Sequence, residues 1–401
     1  SSQCPNISGI QLLPGTGLYC SQENQIGDED YLLGRVDYNL GERESLFGRY
    51  VRESGYQVIP YVYTQVPGYP ELDWERNQYL TISERHTFSP KIINEARFGL
   101  VRLFTETANG GKTGTGTALQ QVPGRQDMDF TPGHGLAALG PTPSSPSRPV
   151  MNRFSFGDSV FMSMGAHSLR FGATITRMQL NTIWNQYSGG AWIFQNLSGL
   201  GIPVPGLATL GGSLYGQPLL GVNAAGPEYS YTTPDGTNYP FNPARYWRQT
   251  YLSAFIQDDW KIANRLTLNL GLRYEFASNP TTVGEPVFVI DNLDSPTTTQ
   301  DDFYAAEHPF INNPNIRNFD PRIGIAWDVF GDHKTSVRAG FGLFHEPVTS
   351  RTYANNNTSY HPNTPLFFSF FTTDLFPLLP NDPNQIISSP LMGDLPAKKT
   401  I

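Results

Sequence analysis

Few residues in this chain have the types and spacing that chemistry requires. Phe156-Gly157-Asp158-Ser159 places a serine where a hydrolytic nucleophile could sit. Such a serine needs a following helix and an Asp-x-x-His partner to activate it. No Asp-x-x-His occurs in the chain, and an apolar alternation runs on through Val160 and Met162. Gly111-Lys112-Thr113 resembles the end of a phosphate loop, but that pattern needs glycine where Glu106 stands. Asp291, Asn292, Asp294, Asp301 and Asp302 offer oxygen atoms that Ca²⁺ could use. They lack the central Gly and closing Glu of a calcium loop, so a solvated acidic loop is expected. The histidines show no paired metal spacing; His86 and His167 fall in or beside strands. These residues predict no catalytic centre, no cofactor and no metal.

Two further constellations concern structure and binding. Cys4 and Cys20 are the only cysteines. Their closeness fits one local disulfide in an oxidising compartment, the alternative being two unrelated thiols. Ala96-Arg97-Phe98-Gly99, Leu169-Arg170-Phe171-Gly172, Leu272-Arg273-Tyr274-Glu275 and Val337-Arg338-Ala339-Gly340 form a loose repeat. In each, the arginine shares the polar face of its segment. It could line a basic ladder toward an anionic solute or a plug. It could equally pair with carboxylates such as Asp37, Glu95, Glu275 and Asp328 to hold a wall together. Aromatic residues also crowd the irregular segments: Tyr56, Tyr61, Tyr63, Tyr69 and Trp74 in one, Trp184, Trp192, Tyr215, Tyr229, Tyr231 and Tyr239 in another. Tyr and Trp combine contact area with a polar handle, so ligand capture and loop-on-loop packing both remain open.

The elements that must position these residues are strands. Between 265 and 276, Leu266, Leu268, Leu270, Leu272, Tyr274 and Phe276 alternate without a break against polar residues and glycine. A helix would scatter them around its circumference, whereas a strand puts them on one side. The pattern recurs, clearly in 168–176, 322–329 and 336–343, and weakly in 31–40, 45–52, 77–88, 92–104, 153–164 and 249–260. Asp158 and Asp258 interrupt the apolar faces. About ten strands in five hairpin pairs are expected. Within pairs the turns are short, such as Ser89-Pro90 and Gly165-Ala166. Between pairs the connections are long: 54–76, 105–152, 181–248, 277–320 and from 347 onward.

That alternation of short and long connections separates two all-β architectures. Soluble sandwiches use connections of roughly 2–6 residues at both ends. Transmembrane barrels have short periplasmic turns and long extracellular loops, with apolar side chains outward and polar ones inward. The prediction is an antiparallel transmembrane β-barrel segment of about ten strands. As an isolated piece it would be an open, curved sheet. The aromatics Tyr31, Trp260, Tyr274, Phe276, Trp327 and Phe330 would form interface girdles. The expected division is a loop segment 1–29, a partial barrel 30–346 and a second loop segment 347–401.

Composition agrees. Charged residues make up 15% of the 401, against about 25% in an average globular chain. Gly 39 and Pro 33 argue against helices, while 13% aromatics argue against disorder. A net charge of −8 with no basic block excludes a nucleic-acid partner. No apolar run is long enough for a membrane helix; 366–379 comes nearest and carries Asp374 and Pro377.

Taken in order, several segments resemble the barrel of TonB-dependent outer-membrane receptors. They are Phe88-Ser89-Pro90 with Ile93-Asn94-Glu95-Ala96-Arg97-Phe98-Gly99, Gly165 to Gly172, Asp258-Asp259-Trp260-Lys261 running into Leu266 to Glu275, and Asp320 to Trp327. The combination is most similar to the Oar-like branch, whose members often carry an N-terminal carboxypeptidase-regulatory-like domain. The resemblance implies residence in the bacterial outer membrane in contact with its lipid. It implies uptake of a small solute such as a siderophore, oligosaccharide or peptide, and not enzymatic turnover. It also implies an energising TonB complex that grips a box ahead of an N-terminal plug, and a barrel of about 22 strands. Ten strands cannot close that barrel, and no plug or box precedes Ser1, so an internal piece of a longer protein is expected. The competing expectation is a structural or adhesive outer-membrane protein built on the same barrel.

Overall fold

The computed structural model describes residues 17–110, 129–131, 137–183, 191–193, 219–223, 230–232, 238–240, 244–289, 304–354 and 366–370, apart from 65, 143, 144, 285, 311, 314, 315, 333 and 351. Ten long strands form one antiparallel sheet in sequence order: β1 (Ile26–Asn39), β2 (Glu44–Ile59), β3 (Glu71–Ser89), β4 (Ile92–Asn109), β5 (Val150–Met164), β6 (His167–Ile183), β7 (Ala244–Ala263), β8 (Leu266–Ala277), β9 (Asn318–Asp328) and β10 (Ser336–Gly342). An eleventh short strand, Thr281–Thr282, pairs with the start of β7. The sheet is open, with β1 and β10 at its two edges. Among the described residues no helix is long and apolar enough to cross a membrane.

All ten expected strands are present, and most are longer than the alternation suggests. β2 runs on to Ile59, β3 begins at Glu71 and β7 begins at Ala244. The extra residues lie at the end carrying the long connections, where both faces become polar. The hydrophobic period vanishes there although the backbone ladder continues. Tyr56 and Trp74 are therefore not loop residues. They are cross-strand partners on β2 and β3, with ring centroids 5.4 Å apart. The long connections also carry short strands of their own, such as 287–289 paired with 304–306.

Register assigns each strand's two faces. Val36, Gly48, Ile82, Phe98, Phe156, Ile175, Leu252 and Phe276 follow one another across eight strands on the apolar face. Large side chains on this face stand open, among them Phe156, Ile175, Ile256, Ile323 and Phe341. Trp260, Tyr274, Phe276 and Trp327 lie on it too. Tyr31 does not: it pairs with Glu53, and the apolar phase of β1 is carried by Leu32, Val36 and Tyr38. The interrupting aspartates are matched by polar neighbours one row away. Asn94 Nδ2 donates to Asp158 at 2.8 Å, and His167 Nδ1 lies 2.6 Å from Asp258 while its ring stacks on Trp260.

Two glycines shape the β5–β6 hairpin. Gly165 takes a φ of 58°, which a two-residue turn requires and which L side chains rarely adopt. At Gly172 an added Cβ would meet the Asp158 carbonyl oxygen and lie 2.9 Å from Ser159 Cβ, so β5 and β6 approach closely only because that position is bare.

Candidate functional site: the polar face

The second face carries the residues with binding potential. Register puts Arg97, Arg170, Arg273 and Arg338 on it, with Glu95, Glu275 and Asp328. Three arginines pair with a carboxylate two residues away on their own strand, which the two-residue period of a strand dictates. Arg35 Nε meets Asp37 at 2.7 Å, Arg97 meets Glu95, and Arg273 Nε meets Glu275 at 2.5 Å. Ser83 donates a further hydrogen bond to Glu95 at 3.2 Å. Arg170 and Arg338 behave differently. Arg170 lies 6.0 Å from the centroid of Phe255, and Arg338 stands exposed on the edge strand opposite Ala326. Asp328 accepts a 2.9 Å hydrogen bond from the Gly331 amide and so ties down the β9–β10 turn. These arginine–carboxylate pairs thus run along strands and not between them.

A cavity of about 470 Å³ opens on this face between β5, β6, β7 and β8, roofed by Pro347, Thr349 and Ser350. Arg153, Arg273, Glu275, Thr176, Ser253 and Asn318 give it polar walls of both charge signs. Its volume falls in the range of about 300–1,000 Å³ used by small-molecule sites.

Beyond the cavity, toward the long connections, the same face turns apolar. Met178, Trp247, Val287, Val289, Tyr353 and Ala354 form a buried cluster. Tyr353 packs on Trp247 at 5.0 Å between ring centroids. Its hydroxyl donates to Gln249 Oε1 at 3.0 Å, and Tyr251 donates to the same oxygen at 2.5 Å. Gln249 Nε2 in turn donates to the Ser278 carbonyl at 3.0 Å. Burial holds the Tyr353 phenol protonated well above its ordinary range. Residues 347–354 fold back onto the sheet. Nothing in the sequence signals this: Trp247 and Tyr353 are over a hundred residues apart, and the contact exists only once the sheet has formed.

The hydrolytic reading of 156–159 does not survive the geometry. Asp158 and Ser159 project to opposite faces of β5, as successive strand residues must. Gly111-Lys112-Thr113 and the 291–302 aspartates lie outside the described residues, as do Cys4, Trp184, Tyr215 and Tyr229. Cys20 is disulfide-bonded. Trp192, Tyr231 and Tyr239 sit in short strands, and Tyr61 donates to Ser21 Oγ at 2.8 Å. Among the described residues, Glu44, Glu84 and His86 bring ligand-capable atoms within 4.8 Å of one another. Spacing cannot reveal this group, because Glu44 meets His86 only through the pairing of β2 with β3. It lies on the apolar face, away from the cavity.

Comparison with known proteins agrees with this architecture. The family model for an outer membrane beta barrel domain matches residues 4–395. The TonB-dependent transporter Oar of Myxococcus xanthus is 25% identical over 186 residues, covering 46% of this chain and 14% of that protein. Among solved structures, the outer-membrane transporter YddB of Escherichia coli superposes with a TM-score of 0.44 at 10% identity, over 80% of this chain and 32% of that one. The siderophore receptor PiuA of Acinetobacter baumannii gives 0.44 at 12% identity, over 80% and 43%. The chain therefore spans less than half the length of each of these proteins. With one open apolar face, one polar face and a match along nearly its whole length, the chain belongs to the outer membrane beta barrel domain family and lies in the bacterial outer membrane as a TonB-dependent-transporter-like barrel sheet.

Proposed function

We propose that this sheet is part of the wall of a transporter that takes up a small solute across the outer membrane, powered through a TonB complex. The observation that carries the reading is the division of one sheet into an open apolar face and a polar face bearing a mixed-charge cavity. The apolar face suits lipid; the polar face suits an aqueous lumen in which Arg97, Arg170, Arg273 and Arg338 face the solute path. The name of the Oar relative supports the same reading. Further strands would pair with the edges of β1 and β10 to close the wall. The cavity's arginines and hydroxyls suit a solute with anionic or hydroxylated groups, which siderophores, oligosaccharides and peptides all offer. No residue is assigned to catalysis.

The test is uptake of a panel of radiolabelled siderophores, oligosaccharides and peptides by cells carrying the full-length gene, with and without the inner-membrane energising complex. Uptake of at least one solute should require both the gene and the complex. Uptake that persists without the complex, or none for any solute, sinks the proposal. A second reading, a structural or adhesive barrel, is favoured by one feature: the Trp247–Tyr353 cluster covers the loop end of the polar face. Under that reading, surface attachment depends on the gene and is indifferent to the complex.

A further inference from the structure

The strand carboxylates on the short-turn half of the apolar face are not all satisfied alike. Asp158 lies against Asn94 and Asp258 against His167. Glu44 on β2 and Glu84 on β3 have no such neighbour. Among the described residues neither forms an ion pair. Glu84 Oε1 is shut off from solvent and has no hydrogen-bond partner. The basic residues of the adjoining turns, Arg43 and Lys91, stand exposed and reach neither carboxylate. Arg85 lies between Glu84 and His86 on β3 and therefore projects to the polar face.

Register brings an imidazole to the same place. His86 is the cross-strand partner of Glu44, and Glu84 is one diagonal away, opposite Leu46. Diagonal neighbours on one face are about 7–8 Å apart at the backbone, within reach of long side chains. Ligand-capable atoms of all three residues lie within 4.8 Å of one another. The His86 ring is steadied by Phe88, with ring centroids 4.4 Å apart. Two carboxylates held this close repel, and little water is at hand on a membrane-facing surface to screen them. A divalent cation between them turns the repulsion into attraction.

The position gives such an ion mechanical work. β2 and β3 are joined in sequence only through 60–70, at the opposite end of the sheet. At the short-turn rim the β1–β2 and β3–β4 hairpins meet without a covalent link. Just beyond the Glu44–His86 pair, the Thr87 amide donates to the Arg43 carbonyl at 2.7 Å. We propose that Glu44, Glu84 and His86 form a zinc site that fastens these two hairpins at the periplasmic rim. An imidazole nitrogen with two carboxylate oxygens suits Zn²⁺, whereas Mg²⁺ and Ca²⁺ take oxygen ligands. Zinc bonds of about 2.0–2.2 Å set tetrahedral ligand atoms roughly 3.4 Å apart, so the ion draws the three groups together by about an ångström. Water fills the fourth position. The inference does not rest on transport, so failure of the uptake experiment leaves it standing.

The test is calorimetric titration of ZnCl₂ into the untagged full-length protein, extracted in mild detergent and stripped with a chelator. Wild type should bind one zinc that the variants Glu84→Gln and His86→Gln bind at least about tenfold more weakly, since loss of a mere outer-shell partner already costs 10–100-fold. His167→Gln, which removes the other histidine of this face, should bind as wild type does. Zinc should also raise the urea midpoint of wild type and leave that of Glu84→Gln unmoved. Without zinc, Glu84→Gln should be at least as stable as wild type, because it removes a carboxylate that has no partner. Its loss of binding is then not misfolding, and heat-modifiable gel mobility checks this directly. A wild type that takes up no zinc, or variants that keep full affinity, overturn the site. Zinc binding without a rise in the urea midpoint overturns its fastening role.

Discussion

The two faces of this sheet use arginine in opposite ways. On the polar face, Arg35, Arg97 and Arg273 each lie against a carboxylate two residues along the same strand, so charge is cancelled where it arises. On the apolar face, arginine is confined to the end with long connections, where Arg102, Arg177 and Arg248 are met by amide and hydroxyl oxygens. The difference follows from the surroundings. Water in a lumen tolerates any arrangement, so local pairs suffice to fix side-chain positions. Hydrocarbon tolerates no free charge, so basic groups on that side gather where the apolar band ends. Asp158 and Asp258, lower on the apolar face, obey the same rule, for each is matched by Asn94 or His167 on a neighbouring strand.

The comparison can be broken most severely where the polar face is dry. Trp247 is fully buried against Tyr353. Trp247→Ala should cost about 3–5 kcal/mol and free the 347–354 segment, seen as a lower urea midpoint and faster proteolysis there. Wild-type protection would show that the cluster does not hold that segment. Next comes a charge in mid-band. Ile256→Arg should lose about 2–4 kcal/mol of folding free energy in vesicles. Asn269→Arg, on the polar face beside Asp259, should lose less than about 1 kcal/mol. Equal losses would mean that the faces are misassigned. His167→Ala strips Asp258 of its partner on the apolar face and should cost about 1–3 kcal/mol by the same titration. The smallest effect belongs to the lumenal pairs. Glu95→Gln should change stability by less than about 1 kcal/mol, because both members of the Arg97 pair are solvent-accessible. A larger loss would show that the ladder holds the wall together.

Legibility was uneven for particular reasons. β8 was readable end to end because its apolar phase never breaks between Leu266 and Phe276. The outer parts of β2, β3 and β7 were not, because Arg52, Gln78 and Arg248 on one face and Glu53, Asn77 and Gln249 on the other remove the contrast between faces. The arginine ladder could be placed on one face from sequence. Its partners could not all be assigned, and the hydrogen bond from the Gly331 amide to Asp328 was not foreseen. The outward arginines were overlooked because three lie in stretches assigned wholly or partly to loops, Arg76, Arg148 and Arg248.

By itself the sequence determined strand identity, the alternation of faces, the order of short turns and long connections, and membership in an outer-membrane barrel class. These are local properties: a two-residue period is written into the backbone, and a turn needs only its own few residues. Tertiary structure alone decided which residues meet across strands. The register that pairs Arg102 with Asn152, brings His167 to Asp258 and sets Tyr353 on Trp247 is fixed by turn geometry and by long-range pairing summed over the whole sheet. No window of neighbouring residues contains that information, because the contacts join positions dozens to more than a hundred residues apart.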